Sequence, residues 1–190
     1  MSEWAREVVE ANAVFLSRID RDRLRREPPT GRMVITCMDP RVNLEAIGIP
    51  TFATDGSNDS RVAIIRTAGA RCPERSLFLA LFKADVDEIL VLGHTECALV
   101  AAHTEITSII EVMRTRVDGR DFDAFIDRIG ASSDEDIKRW IGTIPGSVAG
   151  VLAQMEVIRS LPFVSREIAV HGFVYDVDTG EVRPVGEPAG

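Results

Sequence analysis

The chain has 190 residues, 45 % of them hydrophobic, enough for one domain with a core that needs no disulfides. Its 22 basic and 30 acidic residues leave a net charge of −8 spread along the sequence, which argues against nucleic acid or an anionic membrane as partner. The charged start Met1-Ser2-Glu3-Trp4-Ala5-Arg6-Glu7 has no apolar run behind it, and no stretch approaches membrane-spanning length, so a soluble cytoplasmic protein is expected.

From Glu3 to Ile19 the residues Trp4, Val8, Phe15 and Ile19 form one stripe of an amphipathic helix, ordinarily core-facing. An Arg-rich stretch ending at Pro28-Pro29 breaks it, giving an N-terminal helical arm over 1–29. Met33-Val34-Ile35-Thr36 is a short apolar run entering Cys37. Val62-Ala63-Ile64-Ile65 enters Arg66-Thr67-Ala68-Gly69, and Ile89-Leu90-Val91-Leu92 runs into Gly93-His94. Such continuous runs, separated by helical stretches such as Ser76 to Ala84, predict strands covered on both faces. The expected class is therefore α/β, with a mainly parallel β-sheet flanked by helices.

Thr104 to about Gly142 reads as polar helices with loops at Asp118-Gly119 and Ser132-Ser133. Val148 to Leu161 is a firmer amphipathic helix stopped by Pro162. The segment Ile168 to Tyr175, the turn Asp178-Thr179-Gly180 and Glu181-Val182-Arg183 read as a C-terminal β-hairpin. No boundary interrupts the chain, and a single domain over 1–190 is expected.

Three cysteines, Cys37, Cys72 and Cys97, are too few for a disulfide framework, which leaves metal binding, reactivity or burial. Two of them directly follow predicted strands beside other ligand-type residues, as Cys37-Met38-Asp39-Pro40-Arg41 and His94-Thr95-Glu96-Cys97, where sites collect in open α/β sheets. His94 and Cys97 are three apart as a strand passes into an apparent helix from Thr95 to Ala102, so their side chains can converge on one face. A helix N-terminus also favours the thiolate that binds metal. With Cys37 from another strand the set becomes Cys₂His, which zinc uses with a fourth position left open in catalytic sites. Such soft ligands argue against magnesium or calcium.

Together, Cys37-Met38-Asp39-Pro40-Arg41 and Gly93-His94-Thr95-Glu96-Cys97 resemble the paired signatures of the beta-class carbonic anhydrases. Arg66-Thr67-Ala68-Gly69 resembles that family's Arg-Asn-Ala-Gly, and Gly172-Phe173-Val174-Tyr175-Asp176 its closing strand. The resemblance covers roughly residues 31–103 and 146–185. It implies reversible hydration of CO₂ to bicarbonate with one zinc ion per chain, held by Cys37, His94 and Cys97. It also implies a homodimer or dimer of dimers, in which the N-terminal helix packs on the partner subunit. Asp39 would accept a hydrogen bond from the metal-activated water, and Arg41 would hold that carboxylate in place. Gly69 and Ala98 would border the substrate. Thr67 departs from the family's usual Asn, Ala98 from its usual Gly and Pro40 from its usual small residue, and the Pro50 to Ser60 segment matches no family pocket.

Hydrolysis of COS or CS₂ on the same zinc site is the alternative enzyme. A zinc- or redox-sensing module, with Asp39 closing the metal shell or Cys37 and Cys97 oxidising reversibly, is the non-enzymatic one. Cys72 and His171 read as structural, and His103 as a solvated or interface histidine before a proton shuttle.

Overall fold

A computed structural model describes residues 2–18, 31–49 and 62–186 of the chain. Its strands are β1 (Arg32–Cys37), β2 (Ala63–Thr67), β3 (Glu88–His94), β4 (Ala169–Tyr175) and β5 (Val182–Val185). Its helices are α1 (Glu3–Arg18), α2 (Glu74–Lys83), α3 (Ala98–Thr104), α4 (Ile106–Arg116), α5 (Gly119–Ile129), α6 (Asp134–Ile141) and α7 (Ser147–Ser160). The five strands form one sheet in the order β2-β1-β3-β4-β5. The first four strands are parallel and β5 returns antiparallel along β4, so the mainly parallel sheet and the C-terminal hairpin are both present.

The apolar runs are continuous because both faces of the sheet are covered. Along β1, Met33 and Ile35 join Ile89, Val91, Leu77, Val151 and Ile158 on one side, while Val34 joins Val42, Leu44, Leu92 and Tyr175 on the other. The period-two alternation of a strand thus feeds two cores rather than a core and solvent. Thr36 is the polar member of the run, fully buried, and its hydroxyl donates to the Leu92 carbonyl at 3.0 Å. That bond ties β1 to β3 beside the strand ends that carry the ligand-type residues.

The breaks expected at Asp118-Gly119 and Ser132-Ser133 fall between α4 and α5 and between α5 and α6. Asp118 caps α5 by accepting from the Arg120 N–H, and Ser133 caps α6 by accepting from Asp136. These helices close on a small core of their own around Ile106, Ile110, Phe122 and Ile137.

Two expectations change. The strand expected over Val62–Ile65 runs from Ala63 to Thr67, because Arg66 and Thr67 still pair with Thr36 and Cys37. The N-terminal helix is present as α1, but none of its residues is buried and Trp4 is 76 % exposed, so its stripe does not face this chain's core. Ile19, the Arg-rich stretch to Pro29 and the Pro50 to Ser60 segment lie outside the described residues.

Candidate metal centre

β1 and β3 are neighbours, and their carboxyl ends bring Cys37 and His94 side by side. Cys37 and His94 close their strands, and Cys97 stands immediately before α3 as its N-cap residue. All three are buried, and their ligand atoms lie within 4.8 Å of one another. His94 and Cys97 converge by another route than a shared helical face. Thr95 and Glu96 form a turn, with Glu96 in the left-handed region at φ 54°, and the helix begins only at Ala98.

The imidazole of His94 is held in one orientation. Its Nδ1 lies 2.7 Å from the Thr95 carbonyl, which can only accept, so Nδ1 carries the proton and Nε2 the free lone pair. That Nε2 is buried without a hydrogen-bond partner, which a protein rarely leaves uncompensated unless something else binds there. The backbone behind the ring is fixed as well, since the Ser147 hydroxyl donates to the His94 carbonyl at 2.5 Å. Ser147 reaches it because α7 lies close on β3, where any Cβ on Gly93 would meet Val151 Cγ2 at 2.6 Å.

Cys37 is the thiol of the pair that ionises first. The neighbouring Cys97 thiol lowers it by more than burial raises it, with His94 and the Gly69 N–H adding to the pull. Cys97 is correspondingly raised, first by the Cys37 sulfur beside it and then by burial. Burial also opposes charge on His94, but the neighbouring Cys37 sulfur overcomes it and raises the imidazole. Two thiols and an imidazole crowded around an orphaned nitrogen fit a soft divalent cation.

Beside this cluster, Asp39 is gripped by Arg41. The Arg41 Nε donates to Oδ1 at 3.1 Å, Nη2 donates to Oδ2 at 2.9 Å, and the Arg41 backbone N–H reaches Oδ1 at 2.9 Å. The guanidinium holds the Asp39 carboxyl at about 2, below the usual carboxylate range. Arg41 also donates from Nη1 to Glu96 Oε2 at 2.7 Å and from Nη2 to the Glu96 carbonyl at 3.2 Å.

Arg66 steadies the segment that carries Cys37 and Asp39. Its guanidinium donates to the carbonyls of Cys37, Asp39 and Val42 at 3.1, 3.3 and 3.0 Å. Neither this brace, nor Ser147, nor the Arg41–Glu96 contact was foreseeable from motif spacing, since each meets its partner through the sheet or through backbone carbonyls.

Gly69 sits at φ 66°, donates its N–H to Cys37 Sγ at 3.4 Å and has no room for a Cβ, which would stand 2.5 Å from Leu99 Cδ1. Ala98 is exposed at the start of α3, and Pro40 is exposed beside Asp39. Thr67 turns its hydroxyl to the Arg71 carbonyl at 2.7 Å. Leu99, Val100, Ile141 and Ile144 pack an apolar wall against Cys37 and Cys97. His103 meets Thr143 Oγ1 at 3.1 Å and is not part of the ligand cluster. His171 lies 3.5 Å from Glu88 in the sheet.

The carbonic anhydrase family model matches residues 32–182. The chain belongs to the beta-class carbonic anhydrase family. The family segment contains every residue described above for the centre, and α1 precedes it. Among similar proteins is beta-carbonic anhydrase 1 of Mycobacterium tuberculosis, 25 % identical over 83 % of this chain and 84 % of that protein. Another is a carbon disulfide hydrolase of Acidithiobacillus thiooxidans, 22 % identical over 80 % of this chain and 75 % of that protein. The fold matches the crystal structure of beta-carbonic anhydrase isoform I of Trichomonas vaginalis with a TM-score of 0.73, at 21 % identity over 97 % of this chain and 98 % of that one.

Proposed function

We propose that this enzyme catalyses the reversible hydration of CO₂ to bicarbonate and a proton with one zinc ion per chain. The observation that carries the reading is the convergence of Cys37, His94 and Cys97 within 4.8 Å beside an arginine-held carboxylate. Zinc held there would supply the Lewis acidity that makes a water molecule nucleophilic at neutral pH.

The chain's own residues have separable parts in this reaction. Asp39, kept ionised by Arg41, accepts the hydrogen of the attacking water and so aims its oxygen lone pair at the carbon of CO₂. Arg41 keeps both carboxylate oxygens in position. The Gly69 N–H withdraws charge from the Cys37 sulfur and would leave a metal held there more electrophilic. The wall of Leu99, Ile141 and Ile144 offers a nonpolar triatomic molecule an apolar approach, with Gly69 against Leu99 and Ala98 preceding it in α3 as the candidate border. The stopped-flow rate of CO₂ hydration by zinc-loaded protein across pH 7–9 tests this, and a rate no faster than buffer would overturn it.

A second reading is hydrolysis of CS₂ or COS at the same centre. The similarity to a carbon disulfide hydrolase favours it, as does the apolar wall, which suits a sulfur-bearing linear molecule. Zinc-loaded protein that releases H₂S from CS₂ while hydrating CO₂ slowly would select it.

We read the assembly as a homodimer or dimer of dimers, supported by the exposed Trp4 and Val8 on a helix that buries nothing in its own chain. The cytoplasm is the compartment that suits three free cysteines, two of them needed as thiolates.

A further inference from the structure

We propose that Glu96 is a positioning residue of the metal centre: it braces Arg41 at the Nη1 and Nη2 end of its fork and so fixes the carboxylate that aims the attacking water. This rests on the proposed hydration reaction. A guanidinium carries five N–H donors in a rigid planar fork, and its direction is set by how many of them are engaged. In Arg41, Nε and Nη2 grip Asp39, while Nη1 meets Glu96 Oε2 at 2.7 Å and Nη2 also reaches the Glu96 carbonyl at 3.2 Å. Two contacts thus come from the segment after β1 and two from the turn after β3.

The backbone of Glu96 is shaped for this. It lies in the left-handed region at φ 54°, where a residue with a Cβ is strained and glycine is not. That turn presents both the carbonyl and the carboxylate of Glu96 to the same guanidinium. The side chains of Arg41 and Glu96 are 45 % and 59 % exposed, so water screens the pair and its contribution to stability is small. Its effect is geometric. Without the Glu96 carboxylate, Arg41 keeps its Asp39 contacts and the carbonyl of residue 96 but loses the Nη1 stop that holds the plane of the fork. The Arg41 backbone N–H still holds Asp39 Oδ1, so the carboxylate is loosened rather than freed. Glu96 also lies between two of the proposed ligands, so one guanidinium links the segment bearing Cys37 to the turn joining His94 and Cys97.

The test compares Glu96→Ala, Glu96→Gln and Glu96→Gly in zinc-loaded full-length protein, with Arg41→Ala as reference and Arg41→Lys to assign the side-chain ¹⁵N signals. Restricted rotation of the wild-type Arg41 guanidinium should give separately resolved Nη signals. These should merge in Glu96→Ala and Glu96→Gly and stay apart in Glu96→Gln, which keeps an acceptor. In Glu96→Ala, kcat should fall ~3–10-fold with KM and zinc content unchanged, less than the ~10–100-fold typical of groups that hold a metal ligand directly, because Glu96 acts one contact further out. Glu96→Gln should recover most of that loss. The fall should vanish when Glu96→Ala is combined with Arg41→Ala. Wild-type kcat and resolved Arg41 signals in Glu96→Ala would overturn the proposal. So would recovery by Glu96→Gly, which would assign the effect to backbone strain, or equal loss of zinc in all three variants. If the wild type fails to hydrate CO₂, the reaction assigned above falls, while the Arg41 spectrum still decides whether Glu96 holds the guanidinium.

Discussion

Arg41 reaches Asp39 three times, through Nε, Nη2 and its own backbone N–H, and the carboxylate turns both oxygens toward it. Asp39→Asn would keep the shape but lose the acceptor charge. Arg41→Ala would keep the charge but free the carboxylate. Both variants should retain zinc and lose ~10–100-fold in hydration rate at neutral pH. Stopped-flow assays paired with metal analysis check this, and Asp39→Asn with full activity and full zinc would remove Asp39 from the reaction.

Purified protein should carry roughly one zinc per chain, and Cys97→Ala or Cys37→Ala should lose most of it, because a Cys₂His centre stripped of one thiolate retains two protein ligands. Elemental analysis after dialysis against a chelator measures the loss. Zinc content unchanged in Cys97→Ala would remove that residue from the ligand set.

Gly69→Ala should destabilise the protein by more than the ~1–2 kcal/mol of a left-handed alanine. The added methyl also meets Leu99 Cδ1 at 2.5 Å. Relief by moving Leu99 would disturb the wall beside Cys97, so zinc affinity should fall together with the midpoint of urea unfolding. A midpoint unchanged from wild type would show that the loop shifts freely.

Cys72 should resist alkylation. Burial, with the Glu74 carboxylate adding to it, pushes its thiol up to about 11. At pH 8 only about one molecule in a thousand would then carry the thiolate that reacts. Peptide mapping after iodoacetamide treatment of native protein should show a rate rising about tenfold per pH unit well above pH 8.5. A plateau near pH 9 would indicate an ordinary exposed thiol.

The start of α6 should be acid-sensitive. Asp136 Oδ2 accepts from the Ser132 N–H and from the hydroxyls of Ser132 and Ser133, and these bonds, with Arg139, hold its carboxyl well below the usual range. A carboxyl lowered by folding stabilises the native state above its unfolded value near 3.9 and loses that contribution as pH falls below it. The difference in Tm between wild type and Asp136→Ala should therefore be full at pH 7 and shrink below about pH 4. A constant gap from pH 7 to pH 3 would contradict it.

The class of fold was readable because β1 and β3 lie at the centre of the sheet, where strands covered on both faces need unbroken apolar runs such as Met33 to Ile35 and Ile89 to Leu92. The convergence of Cys37 and His94 was legible because each follows such a run, and Cys97 because it stands three residues beyond His94. What escaped was carried by backbone. Arg66 acts on three carbonyls and Ser147 on one, and carbonyls have no residue code. The Glu96 turn was mistaken for helix because Thr95, Glu96 and Cys97 carry no glycine to mark a left-handed residue. The stripe on α1 was readable as apolar, but periodicity alone cannot say which surface it meets.

The strand order has a consequence for how a metal would enter this centre. β1 and β3 touch, yet the chain between them passes through β2 and α2, so Cys37 meets His94 only after a long loop has closed. Loop closure of this kind costs entropy before any contact offsets it, and sheets built from such pairings assemble slowly. His94 and Cys97 would offer an ion a local pair, but the third ligand, Cys37, arrives only with the distant strand. A metal would meet the complete cage only after the central strands have zipped together, and from then on would act as a late clasp that slows their separation.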